Sequence, residues 1–218
     1  MSRPRVHEPL VALIAASSFL VAAAATVPVG EFSQRKLDGW ESNAFKGKTD
    51  YALVTLNERT VLRAQSYASA SGLVRKIRVD LDQTPYLNWS WCIENTLGEL
   101  DEQSKSGDDY PARIYVVVSG GLAFWRTRSL NYVWASTMAQ GKTWPNAFAG
   151  NNVIMLAQRS GTAELGQWRQ EKRDVRADLK AYFGESIRHI DAVALMTDTD
   201  NSGRSAVAYY GDIYFSAQ

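Results

Sequence analysis

The last residues of the chain carry the side chains best suited to bind a polar ligand. Tyr210, Asp212 and Tyr214 stand at every second position of a strand-like run that closes the sequence. Because side chains at period two share one face of a β-strand, the two phenol rings and the carboxylate are expected on one face. Aromatic rings stack on the C–H faces of sugars, and a carboxylate accepts hydrogen bonds from their hydroxyls. The alternative is that Tyr210 and Tyr214 pack into the core beneath a helix.

A second group of polar residues is a candidate for the same face. Arg113 and Tyr115 alternate on one side of their own predicted strand, and Asp108 and Asp109 precede it. Adjacent carboxylates point to different sides of an extended chain, so these two are not an obvious acid–base pair, which needs groups that converge on one substrate atom. The alternative is that Arg113 simply forms an ion pair with one of them.

The segment before the last strand has the ligand types of a calcium loop. Asp198, Asp200 and Ser202 offer oxygen atoms at positions one, three and five, and Gly203 permits a sharp turn. The acidic residue expected at position twelve is replaced by Tyr209, so the segment is not an EF-hand. Two interpretations stay open, a hairpin turn or a metal-binding turn, and calcium is the one cofactor that the sequence suggests.

The first residues have the pattern of an export signal. A short basic start precedes an apolar stretch over residues 10–27, in which three alanines mark a cleavage site after Ala25. Residues 1–25 are therefore predicted to be a signal peptide, and residues 26–218 a single mature domain without a transmembrane segment. The expected location is the periplasm or the medium.

The charge and cysteine content exclude some classes of protein. Removing residues 1–25 takes away two of the 24 basic and one of the 23 acidic side chains, so the mature chain has no net charge. Nucleic-acid binding is not expected, because phosphate neutralisation requires a basic excess. Cys92 is the only cysteine, so no intramolecular disulfide can form, and the residue is expected to be packed.

Short apolar runs separated by turn residues predict a mainly β fold, a β-sandwich or jelly roll. The nine predicted strands cover residues 51–56, 61–66, 73–81, 87–94, 113–119, 130–136, 152–158, 187–196 and 205–215. Residues 26–48 are predicted to be an irregular N-terminal arm. Trp89 and Trp91 share a face with apolar neighbours and are expected in the core. A helix over residues 168–183 and a weaker one over 95–103 are expected at the margin of the sandwich.

Several segments carry a resemblance to a known family. They are FKGKTDY (45–51), ASASGL (68–73), TPYLNWSW (84–91), KSGDDYPAR (105–113), NYVWA (131–135), EKRDV (171–175), MTDTDNSG (196–203) and YGDI (210–213). Together they resemble a secreted bacterial family catalogued as domain of unknown function 3047, over nearly the whole mature chain. The chain has Asp174 where the family has Asn. The resemblance implies a fold similar to galactose-binding-like jelly rolls, as in many carbohydrate-binding modules, with the Gly-Asp-Ile segment similar to their final strand.

These observations favour a non-catalytic domain of the cell envelope that binds a glycan or another polar small molecule. One alternative is a carboxylate-based enzyme that acts on an envelope glycan through Asp108, Asp109 or Asp212. Another is an envelope component that binds a protein partner through exposed aromatic residues. His189 is the only histidine beyond the predicted signal peptide, and no Ser or Cys motif accompanies it, so a structural role is expected.

Overall fold

The computed structural model describes residues 25–123 and 126–218, and within them the protein is mainly β, as predicted. The strands are β1 (Thr26–Gly30), β2 (Trp40–Lys46), β3 (Asp50–Leu56), β4 (Arg59–Tyr67), β5 (Ala70–Asp80), β6 (Tyr86–Ile93), β7 (Ala112–Val118), β8 (Arg128–Ala135), β9 (Thr143–Asn146), β10 (Gly150–Ser160), β11 (Arg169–Asp174), β12 (His189–Met196), β13 (Ser205–Tyr210) and β14 (Ile213–Ser216). Helix α1 (Val175–Phe183) follows β11, and short 3₁₀ turns lie at Phe32–Gln34 and Lys105–Gly107. The predicted signal peptide falls almost wholly on residues 1–24, which lie outside the described residues.

Two sheets of seven strands form the sandwich. In the first, the β6 sheet, β6 pairs with β11 on one side and with β13 and β14 on the other. β4 and β3 continue this sheet from β13, and β1 pairs with β14. The second, the β12 sheet, has the order β2-β5-β12-β7-β8-β10-β9, with one parallel pair, β8 and β10. No helix among the described residues is both long and apolar enough to cross a membrane.

Large aromatic side chains fill the space between the sheets. Trp89 and Trp91 point inward from β6, and their ring centroids lie 5.4 Å apart in an edge-to-face arrangement. Trp89 also packs against Tyr132 at 5.3 Å, and Trp91 against Trp134 at 5.9 Å. Such aromatic pairs each stabilise a fold by about 0.5–1.5 kcal/mol beyond the area they bury. The prediction that Trp89 and Trp91 lie in the core is confirmed, and Cys92 beside them is a buried free thiol.

The predicted irregular arm over residues 26–48 is wrong, because it contains two strands. β1 pairs with the last strand through Val27 and Phe215, and β2 pairs with β5 through Ser42 and Leu73. Both strands lie at sheet edges; the side chains of β2 are almost all exposed, whereas β1 buries Val29. An edge strand with both faces in water, such as β2, needs no alternation of apolar and polar residues, and β1 is too short to show one.

The predicted helices are shorter or absent. Residues 169–174 form β11, where Glu171 pairs with Trp89, and the helix begins only at Val175. Asp174 caps it by accepting a hydrogen bond from the Ala177 N–H at 2.9 Å. Helical spacing in this segment is overridden by pairing with β6, because tertiary contacts outweigh local propensity. The weaker helix predicted over residues 95–103 is a loop.

Candidate ligand-binding groove

One additional residue in the last strand changes which side chains face solvent. β13 pairs with β6 up to Tyr210 opposite Trp91, and β14 resumes with Tyr214 opposite Asn88. The chain advances four residues from Tyr210 to Tyr214, whereas β6 advances only three from Trp91 to Asn88. The additional residue forms a β-bulge at Gly211 and Asp212. Tyr210 faces the core with 0% of its surface exposed, whereas Tyr214 is 40% exposed on the outer face.

The predicted face of Tyr210, Asp212 and Tyr214 is therefore wrong for Tyr210, since the bulge breaks the period-two pattern. The Tyr210 hydroxyl lies 2.9 Å from the Met196 carbonyl oxygen and 3.0 Å from Thr197 Oγ1. Burial raises the pKa of this phenol above its usual value. The alternative interpretation, a tyrosine in the core, is the correct one for Tyr210, while Asp212 and Tyr214 remain on the outer side.

A groove of about 720 Å³ lies over this bulge on the outer face of the β6 sheet. Its floor contains Asn88, Ser90 and Gly211, and aromatic side chains, Trp168 and Tyr214, line it. Sites for small organic ligands have volumes of about 300–1,000 Å³, and they combine apolar surfaces with a few polar groups that fix orientation. The groove has this size and this mixture of residues.

Gly211 keeps the middle of the groove open. A Cβ atom built on this residue would stand closer to Ser90 Oγ than any real contact allows, and 3.7 Å from the ring of Trp168. A glycine in a strand often marks such a close approach of the backbone to another group. The ring of Trp168 therefore lies next to the backbone of Gly211, which carries no side chain.

The polar groups of the groove come from several elements. The Asp212 carboxylate accepts a hydrogen bond from the Ser33 N–H at 2.8 Å, and Ser33 Oγ also donates to it. Lys172 of β11 lies with its Nζ 4.7 Å from the centroid of the Tyr86 ring. Glu58 and Arg59, at the turn between β3 and β4, complete the rim. The groove thus presents hydrogen-bond donors and acceptors around its aromatic rings.

Arg113 and Tyr115 do not contribute to this groove, contrary to the prediction. They lie on β7 in the β12 sheet, on the face opposite the inward-pointing Ile114. The Arg113 Nε donates to Asp198 Oδ1 at 3.0 Å, and a second nitrogen donates to the other oxygen of that carboxylate. The guanidinium carbon lies 4.8 Å from the Tyr110 ring and 5.5 Å from the Tyr115 ring. These buried contacts connect β7 to the residues that directly follow β12.

Asp108 and Asp109 are buried in the same region, and neither lines the groove. The Asn146 Nδ2 donates to Asp108 Oδ2 at 2.8 Å, and burial raises the pKa of the Asp108 carboxyl. The Asp109 carboxylate accepts hydrogen bonds from the N–H groups of Asn201 and Ser202, at 3.2 and 2.6 Å. Both aspartates therefore hold the loop and the turn around them.

The predicted metal-binding turn has a different set of neighbours. Carboxylate oxygens of Asp109, Asp198 and Asp200 lie within 4.8 Å of one another, and Ser202 is not part of this group. Three carboxylates suit calcium by ligand type, although Asp198 already pairs with Arg113. The hairpin interpretation is wrong, because β12 belongs to one sheet and β13 to the other, so the turn connects the two sheets. Calcium binding stays a prediction.

Several residues of the groove lie in segments whose sequence pattern indicates a different structure. Trp168 is the first residue of the helix predicted over residues 168–183, although Trp168, Gln170 and Lys172 stand at period two and all line the groove. This alternation is the signal that could have identified β11. Ser33 lies in the segment that was predicted to be irregular, and no local pattern indicates that its hydroxyl meets Asp212.

Comparisons with known proteins give a family and a fold. A family described as "Protein of unknown function (DUF3047)" matches residues 38–214. No curated protein matches the chain. Among solved structures, the cellulose induced protein Cip1 is similar with a TM-score of 0.51 and 10% identity, over 89% of this chain and 97% of that chain.

A second solved structure is the xyloglucanase domain of NopAA, a type three effector from Sinorhizobium fredii, solved in complex with cellobiose. It has a TM-score of 0.50 and 12% identity, over 89% of this chain and 98% of that chain. A family 11 carbohydrate-binding module from Clostridium thermocellum has a TM-score of 0.46 and 10% identity, over 89% of this chain and 96% of that chain. The predicted jelly-roll β-sandwich is confirmed as the fold.

Proposed function

We propose that this chain, which belongs to the DUF3047 family of proteins of unknown function, is a non-catalytic domain that binds a glycan. The observation that carries the proposal is the groove over the bulge, in which Trp168 and Tyr214 accompany the carboxylate of Asp212. Aromatic rings provide faces for the C–H groups of a sugar, and the polar groups provide directional hydrogen bonds to its hydroxyls. The fold is compatible with this role, since the xyloglucanase domain of the same fold was solved with cellobiose.

The position of the groove favours an extended ligand. It crosses the β6 sheet from the edge strand β11, over β6 and the bulge, to the turn between β3 and β4. A ligand that contacts Trp168 at one side and Arg59 at the other therefore spans several strands. A linear oligosaccharide matches this path better than a single sugar.

The surroundings of the groove carboxylates favour binding over glycosidase chemistry in this proposal. Glu171 turns into the core, where it accepts hydrogen bonds from Trp91 Nε1 at 3.1 Å and from Arg159 Nε at 2.6 Å. Asp212 is bound by Ser33, and Glu58 is exposed on a turn. General acid–base catalysis instead needs carboxyl groups that converge on one substrate atom.

We also propose that the domain works in the periplasm or outside the cell. The basic and apolar pattern of residues 1–25 supports export. N-terminal sequencing of the protein from its native host should begin at Thr26. A mature protein that retains residues 1–25 would contradict this location.

Substitution of Trp168 tests the proposed site. The parent protein is titrated with cellohexaose, xyloglucan oligosaccharides, a mixed-linked β-glucan tetrasaccharide and β-1,4-galactotriose. Trp168→Ala should weaken binding of the preferred ligand about tenfold or more, because aromatic contacts dominate many binding sites. Its free energy of unfolding should change by less than about 1 kcal/mol, as for partly exposed positions.

Tyr67→Ala is the matched control, because Tyr67 is a 77% exposed aromatic residue that does not line the groove. This variant should bind like the parent. A parent protein that binds no glycan in the panel, or equal losses for Trp168→Ala and Tyr67→Ala, would contradict the proposal.

A further inference from the structure

The turn at the rim of the groove has an unusual residue for its conformation. Leu56 pairs with Arg59, so Asn57 and Glu58 alone connect β3 to β4. Their φ angles are 49° and 65°, and both residues are therefore left-handed. Two-residue hairpin turns with two left-handed residues strongly prefer Asn followed by Gly. This chain has the preferred Asn at the first position and Glu at the second.

The backbone gives no reason for a glutamate at this position. A left-handed conformation brings the Cβ of an ordinary residue close to the following carbonyl oxygen, and glycine avoids this contact. Asparagine is one of the residues that tolerate the left-handed conformation, whereas glutamate has no such preference. Residues in unfavourable backbone conformations are concentrated at binding and catalytic sites. A role of the Glu58 side chain, rather than its backbone conformation, would therefore explain why glutamate stands at this position.

The surroundings of Glu58 point to a ligand. It lines the groove beside Arg59, across the sheet from Trp168. Within the described part of the chain, its carboxylate has no hydrogen-bond or ion-pair partner. The other acidic residue of this hairpin, Asp50, is by contrast bound by Arg63 at 2.7 Å. An unpartnered carboxylate at the rim of a groove can accept hydrogen bonds from a bound molecule.

We infer that Glu58 contacts the ligand and accepts hydrogen bonds from adjacent hydroxyls of one sugar unit; this inference rests on the proposed function. Its two carboxylate oxygens match two neighbouring hydroxyl donors, and such charge-assisted bonds are stronger than neutral ones. Glu58 would then fix one end of the glycan at the turn, while Trp168 contacts it at the opposite side of the groove. The unfavourable turn conformation holds the carboxylate in this place.

Three variants separate the side chain from the backbone. Glu58→Gly should raise Tm by about 2–4 °C, because it restores the preferred turn, and should weaken binding of the preferred oligosaccharide about tenfold. Glu58→Gln keeps the size of the side chain and should weaken binding about fivefold with Tm unchanged. Asn57→Gly alters the other turn residue, which does not line the groove, and should leave binding unchanged.

Titration calorimetry with the oligosaccharide panel described above, together with thermal melts, decides the outcome. If Glu58→Gly and Glu58→Gln bind like the parent while Trp168→Ala does not, the inference fails and the proposed function stands. If the parent binds no glycan, or Trp168→Ala binds like the parent, both fail. Opposite changes in Tm and affinity for Glu58→Gly, with Asn57→Gly unchanged in affinity, would support the inference.

Discussion

Tyr210 and Tyr214 have different surroundings because the bulge places an extra residue between them. Strict alternation would bring both rings to one face, whereas a single added residue turns every later side chain to the other face. Tyr214 is therefore available to a ligand, and Tyr210 belongs to the contacts that join the two sheets. The sequence Gly211-Asp212 is compatible with a bulge, but glycine and aspartate occur in many other turns as well.

Removal of the Tyr210 hydroxyl tests this division of roles. Tyr210→Phe should lower the free energy of unfolding by about 1–2 kcal/mol, because the Met196 carbonyl and the Thr197 hydroxyl each lose a buried partner. Glycan affinity should not change. Urea unfolding and titration of the same preparation measure both quantities, and weaker binding at full stability would place Tyr210 in the site instead.

Among the secondary-structure elements, the groove depends on β11, which the sequence pattern does not identify as a strand. Trp168 immediately precedes β11 and Lys172 lies within it, yet the residues of this segment also fit a helical pattern. Pairing with β6 decides the conformation, and this pairing is non-local. In contrast, β6 was predictable, because Leu87, Trp89 and Trp91 alternate with polar residues and one face of the strand is buried.

The turn between β12 and β13 allows a test of calcium binding. If the carboxylates of Asp109, Asp198 and Asp200 hold calcium, the ion should raise stability by mass action, by about 2.7 kcal/mol at a concentration 100 times Kd. Asp200→Ala should remove this gain, and Asp38→Ala, at an exposed position outside the cluster, should keep it. Equal melting temperatures in calcium and in chelator, for protein freed of metal beforehand, would leave Asp198–Gly203 a purely structural connection.

At the scale of the whole molecule, the sequence predicts the class of fold better than the site. Apolar alternation and turn residues indicate a sandwich, because a buried face imposes its period on the strand. The groove instead combines Ser33, Glu58, Trp168 and Asp212, which come from distant parts of the chain. Only the order of strands in the β6 sheet brings them together, and no local pattern encodes that order. Asp212 and Tyr214 were identified because they lie within a single strand-like run.

Locating a bound glycan on the protein tests the binding site over the bulge most directly. In an NMR titration of the ¹⁵N-labelled protein with its preferred oligosaccharide, the indole N–H signal of Trp168 should shift, together with backbone signals of Gly211 and Glu58. The indole signals of the core residues Trp91 and Trp134 should stay in place, since both side chains are fully buried. Shifts confined to the region of Arg113 and Tyr115, or saturation of binding without a change at Trp168, would contradict a binding site over the bulge.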